Sequence, residues 1–473
     1  MRTHHLLSIR SIKLRLHGSL TMVFIMLLAA SIQAQQEFTL EEAISYALEN
    51  SNSIKLKKKD VSLADADIKE YKSIGMPKIS GTVNYQYFFN IPAQPVSDFI
   101  SPAVYEVLFS ESVLERRELG PPNVFQIAFA QPHQLTGGLE ASALVFDGSY
   151  LVGLKAARLY KDLVAKEINA TEQEIKSNVT KAYMAVLIAE ENIDVIRNNI
   201  KTIEKSLKET EILFKEGFVE SLDVDRLTLS YNNLITELEK LQGFVLISKN
   251  LLKFQMGMPI EEEVVLSEDM EVIVSNYNID NTMIEGPIDY SRRAEYDVLN
   301  TSRKLNELDL DRNKKGYLPS VRLFANASQS LQRTNLFDGN EAGLIPSVVA
   351  GMGIDIPIYD GGEKSARIQK ARINIDRVDL QIDEFKRSMN MQVLNARQSL
   401  QNARKSVENT RKALTINERI YEKTQIKFRE GVGSSVELTQ AEASLYAAQG
   451  SYINALYDLI TAKTDLDIAL GTL

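Results

Sequence analysis

Two long heptad repeats constrain this chain more than any other feature of its sequence. Apolar residues follow alternating spacings of three and four from Val179 to Phe214, and again from Val393 to Phe428. Residues 148–216 and 363–430 contain no proline, and their only glycines are Gly148 and Gly153. Each stretch predicts a helix of about 65 residues, on the order of 100 Å long. A heptad pattern of this length predicts a coiled-coil arm rather than a helix of a compact domain.

Each heptad repeat belongs to one of two copies of a longer unit. The sequence "LVFDGS" aligns with "PIYDGG", and "KEGFVESLDV" aligns with "REGVGSSVEL". Asp147 and Asp360 are 213 residues apart, and Gly217 and Gly431 are 214 residues apart. After each of these glycines the apolar pattern resumes for about 35 residues, which predicts a helix that returns antiparallel to the first. The chain therefore contains a duplicated helical hairpin.

The two glycine-containing sequences form the tips of these predicted hairpins. Gly217 and Gly431 can take the left-handed conformation that ends a helix. Asp223 and Glu437 fall in the first turn of the returning helix, where the helix dipole favours an acid. The serines that can cap that helix are Ser221, Ser434 and Ser435. A purely structural interpretation thus explains these residue types without assigning a function to them.

Segments with a period of two precede each long helix and predict strands. They lie at residues 77–90, 137–146, 319–331 and 348–359. Their length of about 10 residues suits a tilted transmembrane strand, although ordinary surface hairpins show the same pattern. Four strands cannot close a membrane barrel, since such barrels begin at about eight strands. A membrane location would therefore require several copies, and three copies would supply twelve strands.

Residues 1–34 are predicted to be a secretory signal peptide. Basic residues precede a short apolar core, Leu20 to Ala30, and Ala34 completes a small-residue cleavage pattern. An N-terminal anchor helix is the alternative. Without the four basic residues of this segment, 50 Lys and Arg face 63 Asp and Glu. This acidic balance disfavours nucleic acid and anionic lipid as partners.

The composition excludes most kinds of catalytic site. Cysteine is absent, and His133 is the one histidine after residue 34. Disulfides, thiolate or HExxH metal sites and catalytic triads with a histidine pair are therefore not expected. No phosphate-binding loop is present, because no lysine follows the glycines of "GVGSS". We expect no enzyme activity, cofactor or metal, and only carboxylate-dependent hydrolysis remains as an enzymatic alternative.

In order and spacing, these features resemble the TolC family of outer-membrane efflux ducts. Sequences similar to that family include "FTLEEAISYALENSNSIK", "YKSIGMPKIS", "NKKGYLPSV", "LVFDGS" and "PIYDGG". The resemblance implies a mainly α fold with a transmembrane β-barrel. It implies a homotrimer with a 12-stranded barrel in the outer membrane of a Gram-negative bacterium and an α-helical periplasmic tunnel. Such a duct passively exports substrates in a tripartite efflux or type I secretion system, together with a periplasmic adaptor and an inner-membrane transporter.

The duplication and the resemblance together predict the organisation of the chain. The first repeat covers residues 35–257, with its coiled-coil hairpin at 148–257. The second covers residues 291–473, with its hairpin at 361–471. Residues 258–290 would form an equatorial segment between the repeats, and residues 91–136 a long exposed loop.

The resemblance also assigns roles at the hairpin tips. The residues that it places at the aperture, as a selectivity ring, are Glu437, Asp223, Gln440 and Phe428. Those expected to contact the adaptor are Gly217, Ser221, Gly431, Gly433, Ser434 and Ser435. In a trimer Glu437 and Asp223 would place up to six carboxylates around one opening, which favours cations. Two positions depart from the family: Gly433 stands where a basic residue is common, and Phe428 lacks the hydroxyl of a tyrosine.

Two further classes of protein share some of these features. A periplasmic adaptor also contains a coiled-coil hairpin, but it would have one hairpin and compact β modules. A trimeric adhesin or structural stalk would not need returning helices and paired strands.

Overall fold

A computed structural model of the chain describes residues 36–91, 93–128, 130–270, 272–273, 285–337 and 343–473. The predicted signal peptide lies outside these residues. The chain forms two compact units, and each contains parts of both repeats. The first unit includes residues 36–62, Asp162–Thr301 and Asp379–Leu473. The second includes Leu63–Lys161 and Ser302–Val378.

Helices account for most of the described residues. Their bounds are α1 Leu40–Asn50, α2 Asn52–Ser73, α3 Ile100–Ser110, α4 Gly148–Lys215, α5 Ser221–Met256, α6 Ala294–Lys315, α7 Glu363–Arg429 and α8 Ser435–Leu470. The long helices α4 and α7 have 68 and 67 residues, and their returning partners α5 and α8 have 36 each. Equal lengths in the two copies let equivalent apolar positions meet along both hairpins. Within the described chain, no helix combines the length and apolar composition needed to cross a bilayer.

The aspartates of the two Asp-Gly motifs start the long helices. The Asp147 carboxylate accepts hydrogen bonds from the backbone N–H groups of Ser149 and Tyr150 at 2.8 and 3.0 Å. The Asp360 carboxylate accepts from the N–H groups of Gly362 and Lys364 at 3.1 and 3.0 Å. Each aspartate therefore satisfies donors that the first helical turn leaves unpaired. The duplicated motif is a duplicated helix start.

The second unit contains an antiparallel four-stranded sheet. Its strands are β2 Lys78–Tyr87, β5 His133–Phe146, β7 Ser320–Arg333 and β8 Ile345–Asp355, in the order β2-β5-β7-β8. Because β5 pairs with β7, one continuous ladder joins the strand pairs of the two repeats. The register aligns small and apolar residues in rows on one face: Ile79, Ala141, Ala325 and Ala350, then Gly81, Leu139, Ala327 and Val348. The opposite face carries polar rows that include Thr82, Gly138, Ser328 and Ser347.

The segment predicted as a long loop between β2 and β5 contains regular structure. Strands β3 Ala93–Ser97 and β4 Val124–Ala128 pair antiparallel around helix α3. The Asp98 carboxylate accepts hydrogen bonds from the N–H groups of Ile100 and Ser101, at 3.1 and 2.8 Å, which starts the helix. The sequence analysis missed these elements because each is short and several prolines lie among them.

The first unit has a core that draws on distant parts of the chain. Strand β1, Gln36–Phe38, pairs in parallel with β6, Val264–Leu266. Phe38, Tyr183 and Met184 lie in one buried apolar cluster. The Tyr183 hydroxyl donates a hydrogen bond to the Phe38 carbonyl at 2.9 Å. The described part of residues 258–290 thus contributes strand β6 to this unit. The sequence did not predict this strand, because three residues are too few to show a period.

Candidate functional site at the hairpin tips

Both hairpin tips use the same backbone geometry. Gly217 and Gly431 adopt φ values of 78° and 74°, in the left-handed region that glycine occupies without strain. The Phe218 N–H donates to the Leu213 carbonyl at 2.9 Å, and the Val432 N–H donates to the Lys427 carbonyl at 3.0 Å. These bonds close the last turn of α4 and α7. The prediction that both glycines end their helices through the left-handed conformation is confirmed.

The returning helices are capped differently in the two copies. Ser434 caps α8, because its hydroxyl accepts a hydrogen bond from the Glu437 N–H at 3.2 Å. Glu220, not Ser221, is the N-cap of α5, and its N–H donates to Asp223 Oδ2 at 3.1 Å. The prediction that Ser434 or Ser435 caps the second returning helix is therefore confirmed at Ser434, and the prediction that Ser221 caps the first was wrong. In the first copy, Asp223 at the third helical position accepts from the N–H of the N-cap residue, which is the reciprocal half of a capping box.

A polar contact joins the two tips within the first unit. The Ser435 hydroxyl donates to Asp223 Oδ1, and Arg226 Nη1 donates to the Ser435 hydroxyl at 3.0 Å. Arg226 Nη1 also lies 3.6 Å from Asp223 Oδ1. A second link pairs Arg429 with Glu209 at 3.3 Å. We call the group Asp223, Arg226 and Ser435 the inter-tip clasp; it fastens the first returning helix to the second.

The predicted tip residues fall into exposed and buried groups. Those at the surface are Gly217, Ser221, Gly431, Ser434, Glu437 and Gln440, and Gly433 is half-buried. Ser435 is 2% exposed, and its hydroxyl belongs to the clasp, so it does not face a partner hairpin. Phe428 is 8% exposed, so its side chain is buried in the single chain. The missing tyrosine hydroxyl at Phe428 therefore does not remove a surface contact.

The glycine at position 433 has a steric reason. A Cβ on Gly433 would lie 3.0 Å from the Phe428 nitrogen and 3.1 Å from the Lys427 carbonyl carbon. These neighbours are backbone atoms, so a basic side chain would push the turn apart. The clasp instead takes its basic group from Arg226, on the other hairpin.

Sequence reasoning missed three residues of this site. Arg226 corresponds to Gln440 in the second copy, so the repeat gave no sign of its contact with Ser435. Phe218 and Val432 are both 78% exposed. Each directly follows its tip glycine. Because both copies have an apolar residue at this position, the duplication could have indicated a shared role for the two residues. Exposed apolar groups at both tips can bury surface against another protein.

Across the described ranges, no three or more His, Asp or Glu side chains converge as metal ligands. Glu437 is exposed, whereas Asp223 is held by the clasp and the N-terminus of α5. An acidic ring would therefore need Glu437 side chains from several copies of the chain.

Comparison with known proteins supports a single family. The profile of the family described as "Outer membrane efflux protein" matches residues 43–257 and 304–472, which include both repeats. Outer membrane protein TolC from Vibrio cholerae is 21% identical over 347 residues, 72% of this chain and 77% of that protein.

Two solved structures share the fold. A crystal structure of CusC, from work on folding and transmembrane channel formation, superposes with a TM-score of 0.70, 15% identity and 92% coverage of both chains. The open state of the MtrE outer membrane channel from Neisseria gonorrhoeae gives a TM-score of 0.67 at 16% identity, covering 91% of this chain and 88% of that one. Since the family profile covers most of the sequence, the chain belongs to the outer membrane efflux protein family.

Proposed function

We propose that three copies of this chain assemble into the outer-membrane duct of a tripartite export system, which passively passes substrates that an inner-membrane transporter and a periplasmic adaptor deliver. The observation that carries this proposal is the four-stranded sheet. One face is mainly apolar across all four strands, with Gln329 as a polar exception, yet it is open in the single chain. Val83 is 77% and Val348 79% exposed. A sheet that left such a face in water would be unfavourable, whereas outer-membrane lipid would cover it.

The edges of the sheet support the trimer. Strands β2 and β8 each pair on one side only, so their outer N–H and C=O groups lack ladder partners among the described residues of the chain. Open edges are not tolerated in lipid. Three copies joined edge to edge would supply twelve strands and satisfy both edges in every copy.

The tips support the coupling to partners. Phe218 and Val432 offer apolar contacts beside the flexible glycines, and Ser221 and Ser434 offer exposed hydroxyl groups. We assign these residues to contact with the adaptor. Glu437, which is exposed in the first turn of α8, would form a ring of three carboxylates in the trimer, with Gln440 one turn further. Asp223 serves the clasp instead of the ring.

Single-channel conductance of the purified trimer in planar bilayers tests the duct and the ring together. We expect a low-conductance pore that millimolar divalent cations block. In Glu437→Gln the loss of three charges should raise the blocking concentration by about tenfold, which corresponds to about 1.4 kcal/mol. Glu422→Gln, which removes an exposed acid from α7, is the matched control and should behave like the wild type.

The outcomes separate the two claims. A protein of three-chain mass by native mass spectrometry that forms no pore would overturn the duct. A pore that divalent cations block equally in wild type and Glu437→Gln would retain the duct and remove the acidic ring. A monomeric or dimeric mass would contradict the trimer.

A further inference from the structure

One acidic side chain near the tips is buried without a hydrogen-bond partner. Glu442 lies on α8, five residues after Glu437, and is 0% exposed. Both of its carboxylate oxygens lack a partner among the described residues. It sits in the buried stripe of α8 that includes Leu438, Ala441 and Leu445. An ionised carboxylate in such a place is costly, because neither water nor a counter-ion stabilises its charge.

The surroundings of Glu442 are hydroxyl groups rather than cations. Tyr446 follows it by one turn on α8, and its buried hydroxyl also has no partner in the described chain. Tyr421 approaches from α7, where Gln425 Nε2 donates to its hydroxyl at 3.0 Å. Burial raises the pKa of both tyrosines, and the negative charge of Glu442 raises it further, so that the pKa of Tyr421 is about 12. Burial alone raises the pKa of Glu442 to about 7.

Two arginines that other helices bring to this end of the hairpins, Arg429 and Arg226, are paired with acids. From α7 and α4, Arg429 pairs with Glu209. From α5, Arg226 pairs with Asp223 and bonds to Ser435. Arg429 lowers the pKa of Tyr421, but burial is the sole influence on Glu442. Hence Arg429 and Arg226 pair with other acids, and neither carboxylate oxygen of Glu442 has a hydrogen-bond partner among the described residues.

We propose that Glu442 is a proton-binding site built into the packing between the hairpins, and that loss of its proton loosens the tips. This inference rests on the proposed duct, whose tips must separate to admit substrate. In the packed arrangement the neutral acid fits among apolar and hydroxyl groups. When it ionises, the charge favours an arrangement in which water reaches the α8 stripe. Periplasmic pH would then bias the opening of the tips.

The direction of the pH dependence follows from the raised pKa. The packed state binds the proton more tightly than a hydrated state, in which the carboxyl would titrate near its ordinary value of 4.5. The contribution of Glu442 to the packed state is therefore fully present below that ordinary value. It is lost as pH rises through about 7. Between pH 6 and pH 8 the ratio of loosened to packed tips should increase about tenfold.

Two readouts on the full trimer test this inference. The first is infrared difference spectroscopy between pH 6 and pH 8, which detects a protonated carboxyl. The second is single-channel open probability against pH in buffers without divalent cations, which keeps block at Glu437 out of the measurement. We compare wild type, Glu442→Gln, Glu442→Leu and the exposed control Glu422→Gln.

In wild type and Glu422→Gln, we expect a carboxyl band that titrates near pH 7 and an open probability that rises about tenfold from pH 6 to pH 8. In Glu442→Gln and Glu442→Leu, both the band and the pH dependence should disappear, with the tips remaining packed. Glu442→Leu is included because the buried glutamine amide of Glu442→Gln could itself destabilise the packing, whereas leucine has no polar group.

A titrating band that persists in Glu442→Gln overturns the proton site. An open probability whose pH dependence is the same in wild type and Glu442→Gln overturns the coupling to the tips. If no pore forms, the proposed duct fails, while the infrared titration still decides whether Glu442 binds a proton.

Discussion

The hydrogen bonds of the inter-tip clasp link the two hairpin tips through one hydroxyl group. Ser435 links Asp223 and Arg226, and it is buried between them. Ser435→Ala removes the linking hydroxyl, which is itself buried, and leaves its half-buried partners Asp223 and Arg226 less well satisfied. We expect a loss of about 1–2 kcal/mol from the packed tips, seen as a higher open probability in planar bilayers.

The matched control for this change is Ser451→Ala on the same helix. Ser451 is exposed, and its hydroxyl donates to the Ala447 carbonyl of its own helix at 2.7 Å. Its loss should not change the open probability. If the two variants gave equal open probabilities, the clasp would not restrain the tips.

At the level of single residues, the sequence predicted positions that depend on local helix geometry and did not predict contacts between distant residues. The first-turn positions of Asp223 and Glu437 follow from local helix rules. The contact of Arg226 with Ser435 spans 209 residues and has no equivalent in the other copy. The burial of Ser435 and Phe428 is equally a result of packing, because their repeat counterparts Ser221 and Phe214 are exposed.

Replacing a glycine by alanine should have opposite effects on stability at the end of a hairpin helix and inside it. Gly431 adopts a positive φ, so Gly431→Ala should lower the free energy of unfolding by about 1 kcal/mol. Gly450 lies inside α8 with no atom near an added Cβ. Gly450→Ala should therefore stabilise the protein by up to about 1 kcal/mol. Denaturant unfolding of both variants measures this contrast, and a stabilising effect of Gly431→Ala would contradict the assigned turn.

The sheet offers a similar contrast between two adjacent glycines of β5. A Cβ on Gly138 would lie 2.9 Å from Ser328 Cβ and 3.2 Å from the Ala327 carbonyl oxygen. Gly138→Ala should therefore disturb the β5–β7 ladder that joins the two repeats and cost about 1–3 kcal/mol. A Cβ on Gly137 would meet only Val83, at 3.9 Å. Gly137→Ala should leave the thermal unfolding midpoint nearly unchanged; equal shifts in the two variants would contradict the register.

For the whole molecule, a buried hydrogen bond ties the first described strand to the long helix α4. Tyr183 is completely buried and donates to the Phe38 carbonyl, and burial raises the pKa of its phenol. Tyr183→Phe keeps the ring but leaves the carbonyl without this donor, at a cost of about 1–2 kcal/mol. Thermal unfolding should detect the loss. The exposed Tyr160 on the same helix supplies the control, since Tyr160→Phe should have no effect.

The sequence by itself determined the periodic parts of this protein. Heptad spacing predicted the long helices and period two predicted the strands. The duplication predicted that both occur twice, with nearly equal lengths for the helices. These features depend on the local preferences of the backbone and on which side chains avoid water. Both can be read from the order of residues in the sequence.

Only the tertiary structure decided which distant residues meet. The pairing of β1 with β6, the ladder between β5 and β7, the inter-tip clasp and the burial of Glu442 all join residues that are far apart in sequence or that differ between the copies. Such contacts arise when complete elements pack, because the energy of each depends on both partners and on the water that leaves them. The function that we propose for the tips rests on these contacts, which form once the periodic helices have packed together.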